Sequence, residues 1–329
     1  MKNSLLMNAI ALPFKKLAIF AVFAAVVACG RDVSTDIPEE LKEWPTMDIP
    51  SDNPPNALKT ELGERLFNDP ILSIDSTISC ASCHQTDKGL ADDLSVSPGV
   101  DGRKGKRNSP TLWNVGYHPY YMREGGVPTL EMQALVPIQE HVEMAFNMVL
   151  LADRLNQDAD YKTQFLSAFG DSATAYTITR SLAQYERTLI SDARPIDAYI
   201  SGDATALNDQ AKKGLQLFFG KANCSQCHTG PLFTDFDFYN NGTATSENDY
   251  GRALLTMDSA DYYTFKVPTL RHVSETAPYM HDGSIATLSE VLAQYNAGGT
   301  GHDYQSELIQ PLNLTENEMG QLEEFLKSL

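Results

Sequence analysis

Two five-residue stretches carry the chemistry of this chain: Cys80-Ala81-Ser82-Cys83-His84 and Cys224-Ser225-Gln226-Cys227-His228. Both read Cys-x-x-Cys-His, the pattern of c-type haem attachment. Two thiols at this spacing can reach the two vinyl groups of one haem. The His that follows lies on the same turn, where its imidazole can coordinate the iron. The rival readings are a zinc knuckle and a thioredoxin-like redox pair. A thioredoxin motif needs no His directly after its second Cys, and both copies here have one. The pattern points to two covalently bound c-type haems, attached through Cys80, Cys83, Cys224 and Cys227, with His84 and His228 as iron ligands.

Each motif needs an element to hold it. The stretch from Ala57 to Phe67 places Leu58, Leu62, Leu66 and Phe67 at helical spacing ahead of the first, and Lys213 to Phe219 leads into the second. Both lead-ins contain Gly-x-x-Leu-Phe, at Gly63 to Phe67 and Gly214 to Phe218, as expected if a helix packs Leu and Phe on each haem edge. Matching approach helices before matching motifs suggest a duplicated haem domain. Further helices are expected over 145–156, 158–169 and 173–190, the last with Ile178, Leu182, Tyr185 and Leu189 on one face. A helix over 287–297 is stopped by Gly298-Gly299, and Thr315 with Glu318 forms a capping-box pattern for a C-terminal helix. Residues 97–128 and 229–264 read as loops, with a turn at Asn241-Gly242. The expected fold is mainly α: two cytochrome c-like haem domains packed together, over 57–203 and 204–329, with long loops.

The chain has 329 residues, 42% of them hydrophobic, enough for two domains of ordinary size. Its formal net charge of −18 argues against a nucleic-acid partner. Such a surface could steer a basic donor protein, and it is equally what a generally solvated surface looks like. Of five Cys, four sit in the haem motifs, which leaves no disulfide framework. The fifth, Cys29, ends an apolar run from Leu17 to Val27 that follows Lys15 and Lys16 and is too short to span a bilayer well. Val26-Val27-Ala28-Cys29 resembles a bacterial lipobox; the other reading is an ordinary signal peptide with a chance Cys. The expectation is a lipoprotein signal over 1–28, lipid on Cys29, a Pro-rich tether over 29–56, and an exported, periplasmic, membrane-anchored protein. No later stretch is long and apolar enough to cross a membrane.

From about Leu58 to Leu329 the sequence resembles the bacterial di-haem cytochrome c peroxidases, in the wider group that includes the methylamine-utilisation di-haem enzyme. Besides the haem motifs, the resemblance rests on Gly105-Lys106-Arg107-Asn108-Ser109-Pro110-Thr111-Leu112 and on Leu130-Glu131-Met132-Gln133 with Pro137 and Glu143-Met144. It also rests on Pro268-Thr269-Leu270-Arg271 with Ala277-Pro278-Tyr279-Met280-His281-Asp282-Gly283. It implies that peroxide reacts at the N-terminal haem, with His84 as proximal ligand, and that the haem of His228 accepts electrons from a small donor. The family's distal Gln and Glu fall on Gln133 and Glu143. Breaking the O–O bond needs a group that takes a proton from one oxygen and returns one to the other, which a carboxylate can do in turn. A nearby amide can orient the peroxide and stabilise developing charge. Glu140 is the local competitor. Asn108 matches a position that helps bind calcium in the family; the plain alternative is a loop-stabilising Asn. The resemblance also implies homodimers, for which the sequence shows no interface signature.

Three departures from the family matter. A distal His that plugs the peroxide haem in typical members is replaced by Val100, which implies a permanently open first haem. A Trp placed between the haems in many relatives is replaced by Arg123, in Arg123-Glu124-Gly125; Trp113, Tyr120 or Tyr121 are the aromatic substitutes nearby. The axial Met of the second haem is replaced by Tyr295, with Met280 as second choice and a core aromatic as the plain reading of Tyr295. The methylamine-utilisation enzyme is similar in using a Tyr there. His118, His141, His272, His281 and His302 read as structural or exposed, with His141 close enough in sequence to tune Glu143. The leading function is reduction of hydrogen peroxide with electrons from a small cytochrome c or blue-copper protein. The alternatives are oxidation of a protein or organic substrate, and a non-catalytic electron carrier.

Overall fold

The computed structural model describes residues 37–243 and 249–329. The expected signal peptide over 1–28 and Cys29 lie outside the described residues. Helices dominate: α1 (Ala57–Asn68), α2 (Cys80–Cys83), α3 (Leu130–Gln133), α4 (Leu135–Gln139), α5 (Met148–Gln157), α6 (Ala159–Phe169), α7 (Ala175–Glu186), α8 (Pro195–Ile200), α9 (Asp209–Phe219), α10 (Ala253–Thr256), α11 (Leu288–Ala297) and α12 (Glu316–Leu326). A two-stranded antiparallel ribbon pairs β1 (Phe238–Tyr239) with β2 (Phe265–Lys266). Among the described residues no helix is long and apolar enough to cross a membrane.

Two hydrophobic clusters organise the unit from Ile37 to Leu329. One gathers Leu62, Leu66, Phe67, Ile138, Leu151, Ile178 and Leu182 around α1 and α7. The other gathers Ile196, Leu215, Phe218, Leu292, Leu322 and Phe325 around α9 and α12. The shared Gly-x-x-Leu-Phe has its explanation at the two helix crossings. A Cβ on Gly63 would collide with the backbone of Ser181 on α7, and a Cβ on Gly214 with the backbone of Gln321 on α12. Only Gly lets each pair of helices approach this closely. Phe67 packs on Tyr185 with ring centroids 5.1 Å apart, and Phe218 packs on Phe325 at the same distance.

Local signals decide where the helices begin. The side chains of Asn56 and Asn208 accept backbone N–H bonds at the starts of α1 and α9. Thr315 and Glu318 form the expected capping box on α12, and Thr287 with Glu290 forms another on α11. Gly298, at φ 85°, ends α11.

Residues 37–56, expected as part of a tether, lie against the fold instead. Leu41 is buried in the second cluster. Asn53 is fully buried; its Nδ2 donates to Glu131 Oε1 at 2.8 Å, and Gln184 Nε2 donates to the Asn53 carbonyl at 2.7 Å. Proline content alone suggested a free linker, whereas these contacts pin the segment down.

Candidate haem sites

Each haem motif lies on a short turn after its lead-in helix, reached through a loop from Asn68 to Cys80 in the first case and a shorter one from Phe219 to Cys224 in the second. Cys80–Cys83 forms α2; Cys224–Gln226 forms a 3-10 turn. His84 Nδ1 lies 2.9 Å from the Leu90 carbonyl, and His228 Nδ1 lies 3.0 Å from the Phe233 carbonyl. A carbonyl only accepts, so Nδ1 is the protonated nitrogen in both rings and Nε2 keeps its lone pair for a metal. Burial holds both imidazoles below their ordinary pKa, which favours the neutral ligand form.

The loops that offer these carbonyls are themselves tied down in matching ways. Leu90 and Phe233 both have positive φ, 57° and 52°. Thr111 Oγ1 donates to the Gly89 carbonyl and Thr269 Oγ1 to the Leu232 carbonyl, each at 2.6 Å and each one residue before the carbonyl that holds the His. The two Pro-Thr-Leu runs thus position the proximal imidazoles. Nothing local in either run signals this role, because each Thr reaches a loop more than twenty residues back.

The residues fit two haems. All four motif cysteines are free. Burial pushes the Cys80 and Cys83 thiols up, Cys224 to about 12 and Cys227 to about 11. Reactive redox pairs need depressed thiols, so the thioredoxin reading is disfavoured. Among the described residues no group of three or more His, Cys, Asp and Glu side chains is arranged to hold a metal ion, which disfavours a zinc knuckle. Among the described residues, buried Trp113 Nε1, His118 Nε2 and Arg123 Nε have no hydrogen-bond partner.

Around the first motif, Glu143 is exposed, as is its neighbour Glu140. Partial removal from water raises its pKa above the ordinary carboxylate value, and the charge of Glu140 adds to the rise. The charge of Glu143 in turn helps raise both Cys80 and Cys83, so it acts at the first motif. The side chains of Glu143 and of Gln133, at the end of α3, make no hydrogen bond or ion pair among the described residues. Glu140 is exposed, and its Oε1 accepts only a long bond from Val142 N–H at 3.5 Å. Val100 is buried, and its N–H donates to the Glu143 carbonyl at 2.8 Å. His141 bonds Arg103 rather than Glu143.

Around the second motif, one amide joins both candidate axial ligands. Asn241 Nδ2 donates to Tyr295 Oη at 3.0 Å and approaches Met280 Sδ at 3.4 Å. Burial pushes Tyr295 up to about 12, the Asn241 bond opposes that, and the charges of Cys224 and Cys227 add to it. In the sequence Asn241 is only a turn residue. No local signal could have shown that it meets α11.

Between the halves, Arg123 Nη2 donates to both oxygens of Asn108, and Lys266 Nζ donates to the Tyr120 carbonyl at 2.6 Å. Burial lowers Arg123 to about 10 and Lys266 to about 7, with the charge of Arg123 adding to the effect on Lys266. The aromatic candidates separate. Trp113 stacks on His272 at 5.1 Å, Tyr121 stacks on His118 at 6.3 Å, and Tyr120 is largely exposed. His118 also packs on Phe236 at 4.8 Å, His281 stacks on Phe265 at 4.0 Å, and His302 packs on Tyr263 at 4.6 Å.

A family model described as di-haem cytochrome c peroxidase matches residues 57–205. The cytochrome-c peroxidase IdrP1 of Denitromonas iodatirespirans is 35% identical over 95% of this chain and 91% of its own length. The methylamine utilization protein MauG of Methylophilus methylotrophus is 34% identical over 94% of this chain and 93% of its own length. Among solved structures, a MauG-like protein associated with microbial copper homeostasis superposes with a TM-score of 0.82 at 32% identity, over 89% of this chain and 94% of that one.

Proposed function

The chain belongs to the di-haem cytochrome c peroxidase family, and from that premise we propose that it reduces hydrogen peroxide to water with electrons from a small donor protein. The reaction consumes one peroxide, two electrons and two protons and yields two waters. The haems, bound covalently through their cysteines, supply the iron that peroxide meets and the route by which electrons arrive. The chain supplies the proton chemistry. Glu143 takes the proton from one peroxide oxygen and returns it to the oxygen that leaves. Gln133 orients the peroxide through its amide.

One observation carries this reading. Glu143 is a carboxylate that makes no bond among the described residues, held beside Val100 by the Val100 N–H on its carbonyl at 2.8 Å, with its pKa raised by partial removal from water and then by Glu140. A plain electron carrier has no use for such a group. The test is peroxide-dependent oxidation of a reduced small cytochrome c, followed for the holoprotein and for Glu143→Gln. The variant should lose roughly 10²- to 10⁴-fold in rate, the usual span for a general acid–base group. An unchanged rate would exclude Glu143 as that group.

Tyr295 and Asn241 favour a second reading, in which the same haem pair oxidises a protein or organic substrate. A phenolate ligand holds a haem at low potential, suited to storing oxidising power rather than accepting donor electrons. Spectral changes with peroxide but no turnover of reduced donor would favour this reading.

The acidic charge of −18 supports a donor with a basic docking face. The lipobox-like stretch before Cys29 supports export and a lipid anchor. A Cys29→Ser chain should leave the membrane fraction and appear in the soluble one.

A further inference from the structure

Asn108 matches the family's calcium-binding position, yet both of its oxygens already have a cation's donor on them. Arg123 Nη2 donates to Asn108 Oδ1 at 2.9 Å and to the Asn108 carbonyl at 3.0 Å. The amide is fixed in this orientation, because its Nδ2 donates to the Leu94 carbonyl at 3.1 Å, which leaves Oδ1 to face the guanidinium. The residue is 4% exposed, and its N–H donates to the His281 carbonyl at 2.9 Å.

The guanidinium is held in place from its own backbone. Tyr121 and Val127 pair across the turn that carries it, and the Arg123 carbonyl accepts the Lys266 N–H at 2.8 Å. Among the described residues no carboxylate bonds it, and Glu124 and Asp282 act on it only through their charge. The neighbouring Glu124 bonds Arg107 Nε at 2.6 Å, and Arg107 also binds Asp249. Burial and then the charge of Arg123 hold Lys266 down to about 7, so it carries its charge only in part at neutral pH. A calcium ion wants several oxygen ligands, usually with carboxylates among them, and here it would meet the Arg123 guanidinium and an oxygen pair already engaged.

We infer that Arg123 replaces the calcium ion: its guanidinium is a cation built into the chain, and the protein binds no calcium at Asn108. The side chain found where many relatives place a Trp is the one that occupies the expected metal ligand. The inference rests on the family reading for the role expected of Asn108, but its test reads metal and stability, so it can fail while the peroxidase reading stands.

The experiment uses the holoprotein. After treatment with EGTA and gel filtration, calcium content is measured by elemental analysis and calcium chloride is titrated calorimetrically. Unfolding midpoint and haem spectrum are recorded in EGTA and in millimolar calcium. The expected result is calcium far below one equivalent, no binding heat, and the same midpoint and spectrum in both buffers. The variant Arg123→Gln frees the two oxygens and removes the charge. Its midpoint should be lowered in EGTA and recover when calcium is added. One retained calcium per wild-type chain, or a wild-type midpoint that falls in EGTA and returns with calcium, overturns the inference. So does a variant whose midpoint is indifferent to calcium. If the variant does not fold, the wild-type measurements decide.

Discussion

The backbone N–H of Val100 donates to the carbonyl of Glu143 at 2.8 Å, so the residue found in place of a plugging histidine lies against the proposed acid–base group. The loop is seated by Gly99, where a Cβ would collide with the backbone of Val142 and Glu143. Val100 has no group that could ligate iron. The fully oxidised holoprotein should therefore show one high-spin haem and react with peroxide without prior reduction. Val100→His should convert that signal to low-spin and slow the reaction. A six-coordinate, low-spin first haem in the oxidised wild type would sink this reading.

Glu143 must be ionised to act as a base, and its pKa is raised by partial removal from water and then by Glu140. The rate of reaction with peroxide should fall as pH drops through that raised pKa. Glu140→Gln removes a negative neighbour, so Glu143 ionises at lower pH and the acid limb of the profile moves down. Stopped-flow rates across the acid range would show it. A limb that stays put, or moves up, would mean that Glu140 does not act on the titrating group.

Much of this was legible because its signals are local. Cys-x-x-Cys-His, the Thr315 capping box and the Gly298 stop each depend on residues a few positions apart. The shared Gly-x-x-Leu-Phe was legible as a repeat, but its reason was not, since Gly63 and Gly214 answer to helices about a hundred residues onward. The Pro-rich stretch misled because composition cannot show that Asn53 finds Glu131 and Gln184. Arg123 on Asn108 and Asn241 on Tyr295 are contacts between loops and distant elements, which no periodicity encodes.

Asn241 offers one donor to two candidate ligands, Tyr295 and Met280. Tyr295 lies among groups that keep its proton on until a metal displaces it. If Tyr295 ligates the second haem, Tyr295→Phe should change the low-spin electron paramagnetic resonance signal. It should also raise that haem's potential as thioether replaces phenolate. Asn241→Leu, which removes the donor at similar volume, should broaden the signal while leaving the first haem untouched. A Tyr295→Phe spectrum identical to wild type would make Tyr295 a core aromatic.

Glu186 ends α7 with its carboxyl buried at 4% exposure and Oε2 without a partner. Arg187 next to it is already held by Glu131, with bonds of 2.7 and 3.1 Å. Burial pushes Glu186 up to about 8, opposed by Arg187 and helped by Glu131. The folded chain therefore holds this proton where the unfolded chain, near 4.5, has lost it. Its contribution to stability is fully present below that lower value and is lost as pH rises to about 8. The loss should be of the order of a few kcal/mol. Glu186→Gln cannot ionise, so its stability should stay flat across this window. It should exceed wild type above pH 8, less a small offset for the unpartnered amide N–H. Urea unfolding of both holoproteins at several pH values, with equal denaturant slopes, measures it. Equal pH dependence in the two would place the titrating group elsewhere.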